Sequence, residues 1–242
     1  MNLLLVIVDS LRYDYAERCG LFNVMKPAHI FKCHVHGECT AISLPQILTG
    51  KEKADTKVVG EEETRNGKMW LTRIEESTMF DYFKENGFST QYINIDREDE
   101  LYQGNKRSFF PSLPSGRNLA TASIFTPFCI ALHIWDVHYP HPKGYEAHVR
   151  DFIERRVKRL KSVKDTLIVM MADHGELLGE EGRWRHGPPM TKELREVPLI
   201  IYPAPEHVIH ERTVESTQVL PMILDIFGLK HSLQGSVIGE LV

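Results

Sequence analysis

Thr166-Leu-Ile-Val-Met-Met-Ala172-Asp173-His174-Gly175-Glu176 joins seven mostly apolar residues to a cluster of groups that can ligate or carry protons. The apolar part is too short for an ordinary helix. It has none of the apolar/polar alternation of a half-exposed strand, so it reads as a strand buried on both faces, as in parallel sheets. In open parallel sheets ligands bind beyond the carboxyl ends of the strands. Asp173 and His174 are therefore delivered to the edge where chemistry is expected.

The same grammar opens the chain, where Leu3–Val8 is apolar throughout and Asp9-Ser10-Leu11-Arg12 follows at once. Further strands are expected at Thr90–Ile95, Phe128–Ile134 and Pro198–Tyr202, and helices at Met79–Glu85, Tyr145–Lys161 and Ser216–Phe227. In the second helix Val149, Phe152, Ile153, Val157 and Leu160 fall on one face. Gly228 stands where the last helix should be capped. Strands alternating with helices predict an α/β fold with a mainly parallel central sheet flanked by helices. The polar stretch Lys51–Gly67 and the Pro/Ser/Gly-rich stretch Gly104–Arg117 read as surface loops or insertions. Neither divides two cores and no internal repeat is present, so residues 1–242 read as one domain.

The chain has 242 residues, of which 42% are hydrophobic and 26% charged, an ordinary composition for a soluble globular protein. A net charge of −4 gives no reason to expect a nucleic-acid or membrane partner. It leaves room for a small anionic substrate, because a local cation can outweigh the global balance. Met1–Val8 lacks the basic leader and cleavage site of a signal peptide and is too short to cross a bilayer. Cys19, Cys33, Cys39 and Cys129 are then expected to be free thiols in a reducing, cytoplasmic setting. Cys33-His34-Val35-His36-Gly37-Glu38-Cys39 has the look of a zinc knuckle. Phe31, Cys33 and Val35 also share one face of an extended chain, and a strand leading into a loop is the preferred reading.

Two carboxylates and an imidazole at strand ends suit a divalent cation. A lone Asp after a strand often does no more than cap a helix, but Asp173-His174-Gly175 after so apolar a run is harder to dismiss. Cys39-Thr40-Ala41-Ile42-Ser43-Leu44 reads as a loop entering a helix. Thr40 then lies near a helix N-terminus, which favours anions. Its hydroxyl is a poor nucleophile until a metal lowers its pKa, and the plain alternative is a capping threonine. Two histidine-bearing loops complete the set: His133-Ile134-Trp135-Asp136-Val137-His138-Tyr139-Pro140-His141, after another strand, and Gly182-Arg183-Trp184-Arg185-His186-Gly187.

Together these segments resemble the sulfatase branch of the alkaline phosphatase superfamily. Asp9-Ser10-Leu11-Arg12 is similar to its first metal motif, and Thr40 through Leu48-Thr49-Gly50 to its nucleophile segment. Trp135-Asp136-Val137-His138-Tyr139-Pro140 is similar to its Trp-Asp-x-His-x-Pro run. Ala172–Glu180 is close to its most recognisable motif. Arg195–Ile201, Pro221–Leu229 and Gly235-Ser236-Val237 are similar to the following strand, the late helix and the closing turn. The resemblance implies an alkaline-phosphatase-like three-layer sandwich. It implies Asp9, Asp173 and His174 as metal ligands, with Thr40 as a covalent nucleophile touching the metal. His138 and His186 would contact the transferred group and protonate the leaving oxygen, or hold a second metal with Asp136. The donor set favours zinc or manganese over calcium or magnesium, since imidazole is an unusual calcium ligand.

The departures matter as much. A sulfatase of the usual kind has a cysteine or serine, oxidised to formylglycine and followed by Pro and Arg, ten residues before the Gly of the Leu-Thr-Gly. Here that position is Thr40, which cannot become the aldehyde. Threonine nucleophiles are found in relatives such as nucleotide phosphodiesterases, phosphonoacetate hydrolases and phosphoethanolamine transferases. Ser10 stands where calcium-binding sulfatases have a second Asp. The preferred expectation is thus a metal-dependent hydrolase of small phosphate esters. A sulfuric ester hydrolase, a phosphoryl or phospho-alcohol transferase and a non-catalytic metal-binding module are its alternatives. Typical sulfatases carry a further C-terminal subdomain, so specificity is expected from internal loops or a partner; the oligomeric state is not legible.

Overall fold

Residues 1–64, 67–95, 127–205 and 213–235 are described by the computed structural model. Strand β1 (Asn2–Val8) is interior to the main sheet, buried along nearly its whole length and bonded in parallel on both sides. The other strands of this sheet are β2 (His29–His34), β5 (Ser89–Ile95), β6 (Phe128–Ile134), β7 (Thr166–Ala172), β10 (Glu196–Tyr202) and β11 (Thr213–Glu215). A separate hairpin is made by β3 (Thr56–Thr64) and β4 (Gly67–Ile74), and a short ladder by β8 (Leu177–Leu178) and β9 (Trp184–Arg185).

The seven-stranded sheet has the order β11-β2-β10-β7-β1-β6-β5. Strands β7, β1, β6 and β5 are mutually parallel, β2 and β11 pair in parallel, and β10 runs antiparallel to both its neighbours. β6 and β7 match their sequence-predicted bounds, and β1, β5 and β10 each begin one or two residues earlier than expected. These are the runs whose burial on both faces leaves an uninterrupted apolar signature.

Helices α1 (Tyr13–Arg18) and α2 (Leu21–Met25) follow β1, and α3 (Thr40–Thr49) follows β2. After β4 comes α4 (Met79–Glu85), whose first turn is closed by a capping box between Thr78 and Asp81. The predicted helix at Tyr145–Lys161 begins as α5 (Tyr145–Phe152), widens into a π-helical turn over Ile153–Val157 and ends as α6 (Lys158–Leu160). Val149, Phe152, Ile153, Val157 and Leu160 all stay buried through that change of pitch. A short α7 (Lys192–Arg195) leads into β10, and α8 (Val219–Ile226) ends with Gly228 at φ 65°. α8 packs against α3 and, through Phe227, against Phe83 of α4. This is a three-layer α/β sandwich. Among the described residues no helix is long and apolar enough to cross a membrane.

The expected loop at Lys51–Gly67 is corrected: most of it is β3, paired antiparallel with β4 through a register shift between Val58 and Gly60. A hairpin needs only backbone hydrogen bonds, so a strand without an apolar face carries no sequence signal. The second expected loop, Gly104–Arg117, lies outside the described residues, as does the turn at Ser236-Val237. Because β1 has neighbours on both sides, Leu5→Ala is expected to remove about 3 kcal/mol of stability. Urea unfolding should give a lower midpoint with an unchanged slope.

Candidate functional site

Val8 of β1 is level with Ala172 of β7 and Ile134 of β6. Asp9 and Asp173 therefore leave adjacent parallel strands at the same height, and both are fully buried. Ser10 joins them from a left-handed backbone position at φ 66°, a conformation that stores strain in a residue with a Cβ. Its N–H donates to Asp173 Oδ1 (3.3 Å) and its hydroxyl to Asp9 Oδ1 (2.9 Å). The Tyr145 hydroxyl donates to the Ser10 carbonyl at 2.5 Å and accepts from the Arg12 N–H at 2.9 Å, locking this turn to α5.

His174 closes the group. Its N–H donates to Asp173 Oδ1 (3.0 Å), and its Nδ1 lies 2.8 Å from the Gly175 carbonyl. A carbonyl only accepts, so the ring hydrogen sits on Nδ1 and the Nε2 lone pair faces inward. Nε2 is 3.5 Å from Asp173 Oδ2 and 3.8 Å from Asp9 Oδ1. Thr40 is the first residue of α3, with Cys39 rather than Thr40 in the capping position. The Thr40 hydroxyl lies 3.2 Å from Asp9 Oδ2, to which it donates, and 3.3 Å from His174 Nε2.

Whether this cluster fits a divalent cation follows from its own chemistry. One ligand atom from each of Asp9, Asp173 and His174 lies within 4.8 Å of the others, all three buried. Asp173 Oδ2 finds no hydrogen-bond donor among the described residues. Burial works against the charge of Asp9, yet His138, His133 and His174 hold its pKa far below the usual carboxylate range. Burial likewise works against a proton on His174, but Asp173 and Asp9 still raise its pKa above 6.5. The pocket thus draws positive charge to the point where the two carboxylates meet. Two oxygen donors and one imidazole lone pair fit zinc or manganese.

The structure brings His138 and His186 to the same place. His138 Nε2 is 4.0 Å from Asp9 Oδ1, and the His186 ring lies 4.4 Å from that of His174 and 5.4 Å from that of His138. Asp136 is corrected: Arg156 takes its carboxylate, at 2.9 and 3.5 Å. Asp136 occupies the turn closed by the His138 N–H on the Trp135 carbonyl, two residues from His138, and its side chain is turned to the π-helical stretch. The cysteine-histidine segment makes no metal group among the described residues. His34 and His36 pair with Glu215, Cys33 is buried, and all four cysteines are free thiols.

Sequence reasoning gave no role to His133 or Glu176. His133 is fully buried in β6, with Nε2 3.3 Å from Asp9 Oδ2 and 3.9 Å from Asp173 Oδ2, and Nδ1 2.8 Å from the Tyr92 hydroxyl. The available signal was a histidine inside an otherwise apolar strand. Arg12, also buried, ties the first motif to the loop after β7 by bonding Glu180 (2.6 Å) and the Glu176 carbonyl (3.2 Å). Gly175 is required by close approach, since a Cβ there would fall 1.8 Å from the Glu193 carbonyl oxygen. Gly175→Ala is expected to cost about 3 kcal/mol. It should also loosen the His174 ring, whose Nδ1 partner is the Gly175 carbonyl. Thermal unfolding and zinc titration calorimetry would register the two effects separately.

A family model described as Sulfatase matches residues 102–229. The low-salt glycan biosynthesis sulfotransferase Agl7 of Haloferax volcanii is 24% identical over 230 residues, covering 82% of this chain. The chain spans about half the length of that curated relative, 53%. The C-terminal periplasmic domain of EptC from Escherichia coli, solved as a zinc complex, superposes with a TM-score of 0.64 at 14% identity, over 95% of this chain and 83% of that one. The phosphonate monoester hydrolase of Silicibacter pomeroyi gives 0.57 at 15% identity, over 95% and 73%. At such identities these two structures speak for the alkaline-phosphatase-like fold.

Proposed function

Because the chain belongs to the sulfatase family, in the sulfatase branch of the alkaline phosphatase superfamily, we propose that it is a metal-dependent hydrolase of small phosphate esters with Thr40 as its nucleophile. The observation that carries this reading is the Thr40 hydroxyl within hydrogen-bond reach of both Asp9 Oδ2 and His174 Nε2. A threonine cannot be converted to formylglycine, which favours phosphoryl over sulfuryl chemistry. Likeness to a zinc-bound EptC domain and to a phosphonate monoester hydrolase supports the same choice.

Asp9, Asp173 and His174 would hold the cation, zinc or manganese, which when bound supplies Lewis-acid stabilisation of the transferred group and lowers the pKa of a nearby hydroxyl. Asp9 orients the Thr40 hydroxyl by accepting its hydrogen bond. Thr40 stands at the start of a ten-residue helix, where free backbone N–H groups and the helix dipole favour the anionic equatorial oxygens. The Thr40 oxygen attacks phosphorus, and the leaving oxygen takes a proton from His138 or His186. Water then releases Thr40 by the reverse path. The Haloferax sulfotransferase supports a second reading, in which a sulfuryl group is passed to an acceptor other than water.

Thr40→Ala is expected to lower turnover of a chromogenic phosphate monoester or diester by more than about a thousandfold while zinc or manganese still binds. A Thr40→Ala protein as active as wild type would remove the nucleophile assignment. Turnover confined to a sulfate ester would move the reading to sulfuryl chemistry. Asp173→Asn is expected to weaken metal binding by at least about a hundredfold, measured by calorimetric titration.

A further inference from the structure

The two histidines left as alternative proton donors are not equivalent. We infer that Glu176 is a positioning residue that fixes His186 as the donor to the leaving oxygen, while His138 serves the metal side of the site. This inference rests on the reading of Thr40 as nucleophile.

The short β8–β9 ladder sets the geometry. Leu177 pairs with Arg185 and Leu178 with Trp184 in antiparallel register. Continued by one residue, that register sets Glu176 opposite His186. The Glu176 side chain is essentially inaccessible, and its Oε1 lies 3.1 Å from His186 Nδ1. Its Oε2 has no hydrogen-bond donor among the described residues. A carboxylate buried this deeply is tolerated only when paired. Its backbone is itself held, since the Arg12 guanidinium donates to the Glu176 carbonyl. Arg185, the residue before His186, sits at φ 70°, a strained left-handed position. Strain of that kind persists where the surroundings fix the backbone, as the ladder and the Glu176–His186 pair do.

A carboxylate only accepts, so the hydrogen of the His186–Glu176 bond belongs to Nδ1. Nε2, on the far side of the ring, is the nitrogen left to exchange a proton with substrate. The ring lies against that of His174, whose Nε2 is 3.3 Å from the Thr40 hydroxyl. His138 is arranged otherwise. Its Nδ1 is 2.6 Å from the Tyr139 carbonyl, and its Nε2 is turned to Asp9.

Thr40 reacts as its alkoxide, the hydroxyl hydrogen having been given up to solvent. As the bond from Thr40 Oγ1 to phosphorus forms, the bond from phosphorus to the leaving oxygen breaks and its electron pair stays on that oxygen. The oxygen takes the Nε2 hydrogen of the doubly protonated His186 ring, which is left neutral with its Nδ1 hydrogen on Glu176. In the second half Nε2 accepts a hydrogen from the attacking water as Thr40 departs.

The test compares wild type, His186→Ala, Glu176→Ala and Glu176→Gln on nitrophenyl, phenyl and alkyl phosphate esters. A proton donor matters little to a good leaving group and greatly to a poor one. Glu176→Ala is expected to lower kcat for the alkyl ester by ~10–100-fold, with little change for the nitrophenyl ester and in KM. Glu176→Gln, which keeps an acceptor for Nδ1, should recover part of the loss. The double variant should be no worse than His186→Ala alone. An equal loss on every ester, or additive losses in the double variant, would overturn the positioning role. Imidazole nitrogen NMR gives a readout that needs no turnover and no alanine variant. In its neutral form wild-type His186 should hold its hydrogen on Nδ1, and Glu176→Gln should weaken that preference. A wild-type ring with its hydrogen on Nε2 would sink the inference. Absence of phosphate ester turnover with the Nδ1 preference intact would instead count against the functional reading alone.

Discussion

Two carboxylates emerge from neighbouring parallel strands at the same height, inside the protein, and everything around them answers that constraint. Like charges so close and so dry are untenable without positive charge between them. Imidazoles come from three directions: His133 from within β6, His138 from the turn after it, and His174 from the residue next to Asp173. Oriented N–H and O–H groups of Ser10 and Thr40 take up further lone pairs. What faces the centre is a carboxylate oxygen from each of Asp9 and Asp173 and the Nε2 of His174, a donor set that fits a divalent cation.

That arrangement dictates parts of the fold that look unrelated to it. β1 must be an interior strand, because only a strand with parallel neighbours on both sides can meet Asp173 on one flank and His133 on the other. Ser10 must enter a left-handed turn to reach both carboxylates, and the turn is held by Tyr145 from α5. Arg12, buried despite its charge, is paired with Asp14 and Glu180, so the loop after β1 and the loop after β7 move as one body. The absence of a side chain at Gly175 lets the loop bearing His174 lie directly on the backbone of α7.

The sequence made these features legible in proportion to how far each is written in local pattern. Apolar runs ending in Asp9 and in Asp173-His174 identified the strands and their functional edge, since burial on both faces and delivery at the carboxyl end are local properties. The β3 strand was not legible, because its residues are mostly polar and its pairing with β4 is made by the backbone. Asp136 looked like a second-metal ligand from the resemblance of its segment to the Trp-Asp-x-His-x-Pro run, but its carboxylate is paired with Arg156. His133 and Glu176 carried no local signal for different reasons. His133 acquires its partners only when β6 comes to lie beside β1. Glu176 meets His186 within the same loop, but across a ladder of two-residue strands too short to leave a periodic pattern.

The threonine sharpens how such a site must work. With Thr40 as the proposed nucleophile, a residue that cannot become an aldehyde hydrate, the covalent intermediate would be released only by the reverse of its formation, with an acceptor oxygen attacking where the leaving oxygen departed. The group that protonates the leaving oxygen is therefore the group that activates the acceptor, and one histidine serves both halves. A single imidazole can do that only if its second nitrogen is committed elsewhere, so that the ring neither flips nor changes tautomer between the steps. The buried Glu176 meets that requirement for His186 by accepting the Nδ1 hydrogen. Hydrolysis and transfer then differ only in which oxygen, from water or from an alcohol, reaches Nε2.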